Sequence, residues 1–198
     1  MGRRILNAPR RAGLGLMAAV LLSGCACFPG LRGPATPPPT AQQVDAFGPM
    51  AGLVGKTWRS EPVGGGETGP ADISKWSWDL GGRVIVSRHA LEDGSYGGVT
   101  YIYENSQTGS LDYVYVTSAG FHTTGTYQLA GDDSWTAEEA VIGHETITRV
   151  RSTGRITPDG RMAVTSEYFA EDAWSPGRNV IYVPVKAKIP EITGQLAQ

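Results

Sequence analysis

From Lys56 onward, short segments rich in Val, Ile, Thr, Tyr and Trp alternate with clusters of Gly, Asp, Asn, Ser and Pro. This alternation is typical of β-strands joined by tight turns. It predicts strands over residues 56–61, 72–80, 83–91, 97–104, 111–118, 121–130, 134–142, 145–156, 161–170 and 178–185. The predicted turns are Gly81-Gly82, Asp93-Gly94, Thr108-Gly109, Gly131-Asp132, Pro158-Asp159-Gly160 and Ser175-Pro176-Gly177. Because no helix-length segment separates the strands, consecutive strands are expected to pair antiparallel.

Side chains alternate along single strands in a way that favours a closed sheet. Trp76 and Trp78 share one face of their strand, whereas Lys75 and Ser77 share the other, and residues 111–116 alternate similarly. An open sheet of this size would expose two edges, which closure into a barrel removes. We therefore predict an all-β fold, an antiparallel up-and-down barrel of about ten strands. A β-sandwich is the alternative.

One predicted strand argues against a barrel that spans a membrane. Residues 145–156 place Glu145, Arg149, Arg151 and Arg155 on a single face. A membrane barrel needs an apolar, lipid-facing band on every strand. A pore that spans the outer membrane is therefore not expected.

The first residues have the pattern of a secretory signal. Basic residues, among them Arg3 and Arg4, precede an apolar run over 12–22, which ends in Leu22-Ser23-Gly24-Cys25. A basic start, a short apolar segment and small residues before a cleavage point define such signals. Leu22-Ser23-Gly24-Cys25 also resembles the lipobox of bacterial lipoproteins. This resemblance implies cleavage before Cys25 and attachment of a diacylglycerol to it.

The expected domain organisation follows from this resemblance. It comprises a signal peptide over 1–24, a lipidated cysteine and Pro-rich tether over 25–45, a barrel over 46–188 and a tail over 189–198. The membrane is then a partner through the lipid anchor, and the protein is located in the bacterial cell envelope. Inner-membrane lipoproteins of some Gram-negative bacteria resemble each other in having Asp after the cysteine. Ala26 stands there, which points to the outer membrane, facing the periplasm. The role of Cys27 is open: a second acylation site, a free thiol or an inert residue.

A second resemblance concerns the barrel. The segment Leu53-Val54-Gly55-Lys56-Thr57-Trp58-Arg59 is similar to the opening of calycin barrels, which include lipocalins, fatty-acid-binding proteins and nitrobindin-like domains. The stretches 76–83, 117–126 and 151–153 resemble an uncharacterised bacterial lipocalin-like domain. Together these imply a calycin-like fold over most of 53–185, with no settled activity. Lipocalins also share a late Arg that packs over the first Trp, so Trp58 and Arg178 are the expected barrel-closing pair.

Composition and motifs narrow the chemistry. The chain has formal net charge −2 and becomes more acidic when the arginines before Cys25 leave, which argues against nucleic acid as a partner. It has no Gly-x-Ser-x-Gly elbow and no metal-ligand spacing, so no cofactor or metal is predicted. Nitrobindin-like domains resemble each other in a haem-ligating His late in the chain. Because His89, His122 and His144 all precede the last two predicted strands, haem is disfavoured.

The candidates to line a ligand cavity are aromatic residues of the predicted strands and one histidine near a predicted turn. They are Trp76, Trp78, Tyr101, Tyr103, Tyr113, Tyr115, His122, Tyr127 and Tyr168. The favoured function is binding of a small apolar or amphipathic ligand within the barrel. The first alternative is a structural or protein-interaction module whose barrel is filled by its own aromatic residues. The second is an enzyme in which His122 works with a nearby carboxylate or Tyr as acid–base groups.

Overall fold

Ten strands form a closed barrel in the computed structural model, which describes residues 38–64 and 69–193. Each strand pairs antiparallel with its neighbours in sequence, and β1 also pairs with β10. The strands are β1 Thr57–Pro62, β2 Asp72–Asp79, β3 Val84–Leu91, β4 Gly97–Glu104, β5 Leu111–Thr117, β6 His122–Ala130, β7 Ser134–Ile142, β8 Arg149–Ile156, β9 Met162–Ala170 and β10 Ala173–Val185. The predicted all-β, up-and-down barrel is confirmed and is consistent with a calycin-like architecture. The sandwich alternative is wrong because the sheet closes on itself.

Two strand boundaries differ from the prediction by more than one residue, for local reasons. Strand β8 begins at Arg149 instead of 145, because the Nδ1 atom of His144 accepts the amide N–H groups of Thr146 and Ile147 and holds a turn there. The predicted turn at 175–177 is a register shift inside β10, between Pro176 and Asn179.

Two short helices close one end of the barrel. Helix α1 (Ala41–Ala46) begins with a capping box between Thr40 and Gln43, and a 3-10 helix (Gly48–Leu53) follows it. The Phe47 ring packs edge-on against Trp78 at a centroid distance of 5.1 Å. This contact places the helices at the end where β2 finishes and β3 begins.

Aromatic side chains inside the barrel lie across glycines of the neighbouring strand. A Cβ atom at Gly154 would overlap the ring of Trp135, and one at Gly98 would overlap the ring of Tyr115. Glycine leaves the space that a ring on the next strand then fills. These pairings help to fix which face of β4 and β8 points inward.

The lipobox with Cys25, Cys27 and most of the Pro-rich segment lies outside the described residues, as do residues 194–198. In the described part, the C-terminal segment reaches the β3–β4 turn, where the Thr193 amide donates to the Gly94 carbonyl over 2.9 Å. Within those same residues, no helix is both long and apolar enough to cross a bilayer.

Candidate functional site

A cavity of about 470 Å³ occupies the barrel interior. It extends from an apolar floor near Trp76, Trp135 and Met162 to the end opposite the helices, where Phe121 and His144 lie in turns. The remaining lining residues are Asp72, Ser74, Ser87, His89, Tyr96, Thr100, Tyr113, Tyr115, Thr123, Tyr127, Glu139, Val141, Ile147, Val150, Ser152, Val164, Ser166, Tyr168, Arg178, Val180 and Tyr182. The wall thus combines aromatic and aliphatic surface with hydroxyl, carboxyl and cationic groups.

Some of the aromatic candidates stand at this wall. Those placed there are Trp76, Tyr113, Tyr115, Tyr127 and Tyr168. Two of them are stacked closely, since the rings of Tyr113 and Tyr127 are 4.4 Å apart between centroids and tilted by 31°.

Three other aromatic candidates are placed elsewhere, which corrects the prediction. Tyr101 and Tyr103 lie on the outer surface of β4, with exposed fractions of 39% and 38%, because Thr100 and Ile102 take the inward positions. Trp78 packs against the core beside Phe47, below the cavity. Alternation assigned each set to one face of its strand but did not show which face was internal.

His122, the predicted acid–base group, is exposed at the first position of β6 and does not reach the cavity wall. Its strand neighbours Val116 and Ile142 are also exposed, so all three belong to the outer face. The inward position beside it is held by Thr123, which is buried. The enzyme hypothesis therefore loses the base on which it was built.

The predicted barrel-closing pair does not form. Trp58 is paired with Pro184, and Arg178 lies six residues earlier on β10, roughly 20 Å away at strand spacing. Trp58 is buried at the helix-closed end, where its Nε1 donates to the Leu53 carbonyl over 3.2 Å. The cation over its ring is Lys56, at 5.4 Å from the centroid. Arg178 instead lines the cavity.

A chain of hydrogen bonds crosses the upper wall, which is the part of the cavity wall farthest from the floor. It joins Asp72, His89, Tyr115 and Tyr96, and together with Tyr182 and Arg178 these residues form what we call the Asp72 cluster. The Oδ1 atom of Asp72 is 2.6 Å from Nδ1 of His89, and Nε2 of His89 is 2.7 Å from the Tyr115 hydroxyl. The Tyr115 hydroxyl is in turn 2.7 Å from that of Tyr96. With a neutral imidazole, Nδ1–H donates to Asp72 and Nε2 accepts from Tyr115. Both nitrogens of His89 are therefore already engaged by the protein.

The second carboxylate oxygen of Asp72 is also engaged. It accepts the Tyr182 hydroxyl at 2.8 Å and lies 3.9 Å from Nη1 of Arg178, which donates to Tyr182 at 3.3 Å. Burial by itself would raise the pKa of Asp72, but the His89 hydrogen bond, the nearby guanidinium of Arg178 and the Tyr182 hydroxyl outweigh it and hold the pKa below its ordinary value. Asp72 is thus a carboxylate whose negative charge is balanced by partners within the protein.

The tyrosines of the cavity act as neutral hydroxyl groups. Burial is the main cause that raises the pKa values of Tyr113, Tyr115, Tyr127 and Tyr182 well above the ordinary value. A neutral phenol both donates and accepts a hydrogen bond. These side chains therefore add hydroxyl groups to the wall without adding charge.

Glu139 is a second carboxyl group of the wall, on the inward face of β7. It accepts hydrogen bonds from the hydroxyls of Thr123 and Tyr113. Burial raises the pKa of Glu139, although both hydroxyls act in the opposite direction. Unlike Asp72, it makes no ion pair with any residue in 38–64 or 69–193.

The sequence alone did not single out Asp72, His89, Tyr96, Glu139 or Tyr182. Asp72 and His89 are 17 residues apart, and only the β2–β3 register, in which Ser74 opposes His89, brings them together. One signal was available: polar residues at inward positions of otherwise apolar strands seldom stay there without partners.

Comparison with known proteins adds little to this geometry. No family model matches the chain, and no curated protein is similar to it in sequence. Among solved structures, the chain is similar to the crystal structure of Rv2717c from M. tuberculosis. The two share 13% sequence identity over 72% of this chain and 98% of that one, with a TM-score of 0.47. A similarity at this level carries no information on ligand or activity.

Proposed function

We propose that this chain is a lipid-anchored protein of the bacterial envelope that binds a small amphipathic molecule inside its barrel. The proposed anchor is a lipid on Cys25. The residue after it is Ala26 and not Asp, which supports a location at the outer membrane, facing the periplasm. The barrel is of the lipocalin-like, calycin type that the sequence resembles. The observation that carries the proposal is the cavity of about 470 Å³.

The volume and lining of the cavity support binding. Ligand pockets are typically several hundred Å³ in volume, largely apolar, and fitted with a few fixed polar groups. Here the floor supplies Trp76, Trp135 and Met162, while the Asp72 cluster and Glu139 supply the polar groups. An amphipathic molecule satisfies both regions: its apolar part replaces water on the floor and its polar part meets the upper wall.

The two alternatives fit the geometry less well. A filled barrel requires the aromatic side chains to occupy the lumen, whereas Tyr101 and Tyr103 point outward and a cavity is left between the others. The enzyme alternative named His122 as its acid–base group. Both nitrogens of His89 are engaged by Asp72 and Tyr115, and His122 faces away.

Filling the lumen tests the binding function. Ser152 faces the cavity from β8, and its neighbour Thr153 is exposed on the outer face. Replacing Ser152→Trp places an indole in the space that a ligand needs. We expect affinity for the neutral fluorescent probe N-phenyl-1-naphthylamine, measured by titration, to fall by at least about tenfold. Thr153→Trp adds the same indole outside and should leave the affinity unchanged. Equal probe binding by Ser152→Trp and wild type, with circular dichroism showing both folded, would place the probe outside the barrel.

The anchor is tested separately by fractionation. Replacing Cys25→Ser removes the sulfur to which the lipid attaches. We expect the full-length variant to move from the membrane pellet to the soluble fraction of cells in which wild type sediments with membranes, since no second anchor is proposed. Cys27→Ser is the matched control and should stay in the pellet. Membrane retention of Cys25→Ser would contradict the lipid anchor.

A further inference from the structure

The two carboxyl groups of the cavity wall, Asp72 and Glu139, differ in their charged partners. The carboxylate of Asp72 lies 2.6 Å from Nδ1 of His89 and 3.9 Å from the guanidinium of Arg178, so a positively charged side chain of the upper wall is beside it. Glu139 has only hydroxyl partners, Thr123 and Tyr113. Among the described residues, it is therefore the one carboxyl group of the wall that lacks a cation.

The surroundings of Glu139 make this imbalance costly. The side chain stands on the inward face of β7, where Trp135 and Ala137 precede it and are buried. Removing a carboxylate from water without a counter-charge is unfavourable, and hydroxyl donors offset only part of that cost. Burial accordingly raises the pKa of Glu139. A cation that enters the cavity relieves the same cost by pairing with the carboxylate.

The neighbouring side chains also suit a cation. The stacked rings of Tyr113 and Tyr127 lie beside Glu139, and Trp135 is on the same face of β7. Aromatic faces attract ammonium groups through their quadrupoles, most strongly where water is excluded. A carboxyl group among such rings offers an organic cation both a charge partner and a compatible wall.

We infer that the barrel selects an amphipathic organic cation, a protonated amine that pairs with Glu139 while its apolar part lies on the aromatic floor. This inference rests on the proposed binding function and names the ligand class for the same cavity. A carboxylic acid in the same position would bring two carboxylates together, and a neutral molecule would leave Glu139 without a counter-charge. The Asp72 cluster does not compete for the amine, because Arg178 and His89 already meet that carboxylate.

Three probes of matched shape test the inference by isothermal titration calorimetry at neutral pH. They share a naphthalene ring and differ in charge: 1-naphthylmethylamine is cationic, 1-naphthalenemethanol is neutral and 1-naphthoic acid is anionic. We expect the amine to bind wild-type protein roughly tenfold or more tightly than the alcohol, as a charge-assisted contact predicts. The acid should bind most weakly of the three.

Two neighbouring glutamates provide the variant and its control. Glu139→Gln keeps the shape of the side chain and removes its charge, so the amine should lose its advantage while the alcohol binds within about twofold of its wild-type affinity. Glu138 is exposed on the same strand and pairs with Arg149 at 3.5 Å on the outer face, so Glu138→Gln should change neither affinity. Circular dichroism checks that both variants fold.

The outcomes separate this inference from the binding function. If the acid binds most tightly, if the amine and alcohol bind equally, or if the amine keeps its advantage in Glu139→Gln, the cationic ligand class is wrong and binding in the barrel stands. If none of the three probes binds wild-type protein, the binding function fails as well.

Discussion

Replacing Asp72→Asn should lower the free energy of unfolding by about 3–5 kcal/mol, as expected when one partner of a buried ion pair is removed. The Asp72 side chain is 3% exposed, so water cannot replace the lost charge. The variant leaves His89, Tyr182 and Arg178 facing a neutral amide inside the barrel. Since domains are stable by about 5–15 kcal/mol in total, urea titrations followed by circular dichroism should show a large shift.

The control for Asp72→Asn is Asp132→Asn, which removes a carboxylate from an exposed turn. Its effect should stay within about 0.5 kcal/mol, as for other surface substitutions. A loss of less than about 1 kcal/mol in Asp72→Asn would mean that the cluster contributes no more than an exposed ion pair.

The effect of Asp72→Asn should also depend on pH, with a definite sign. The pKa of Asp72 is lower in the folded protein than its ordinary value of 3.8. Its stabilising contribution is therefore complete above pH 3.8 and is lost as the pH falls through the lower, folded-state pKa. The difference in unfolding free energy between wild type and variant should narrow only under these acidic conditions.

Replacing Trp58→Ala should cost a similar amount, about 3–5 kcal/mol, because it leaves a large cavity in the core. Trp58 is 1% exposed, and its Nε1 donates to the Leu53 carbonyl of the 3-10 helix. The side chain therefore fixes the helix-closed end of the barrel to β1. Thermal unfolding followed by circular dichroism should show a lower midpoint.

Trp58→Phe separates packing from the hydrogen bond. It keeps an aromatic ring but removes the donor to Leu53, so its cost should be clearly smaller than that of Trp58→Ala. Equal effects of the two variants would contradict the packing argument and assign the stability at this end to the hydrogen bond.

The fold could be predicted from the sequence because the signals for strands and turns are local. Turn residues such as Gly81-Gly82 and Asp93-Gly94 marked the joints, and alternation over 72–80 and 111–118 marked half-buried strands. One joint was misplaced because Ser175-Pro176-Gly177 has turn composition but forms a register shift within β10. The actual turn uses Glu171 and Asp172, which have φ values of 50° and 61° although neither is glycine.

The residues of the site could be predicted only in part, because their positions depend on strand register and on which face of each strand is internal. Tyr101 and Tyr103 alternate as regularly as Tyr113 and Tyr115, yet only the second pair points inward. The distinguishing feature is Gly98, which leaves room on β4 for the ring of Tyr115. Such a pairing between strands cannot be read before the strands are aligned.

Binding in the lumen is tested most directly by native mass spectrometry of the full chain, purified without denaturant, beside Ser152→Trp. We expect the wild-type protein to carry one small molecule that is released on denaturation and that the filled variant lacks. The same bound mass in both proteins, or none in either, would contradict a ligand held inside the barrel.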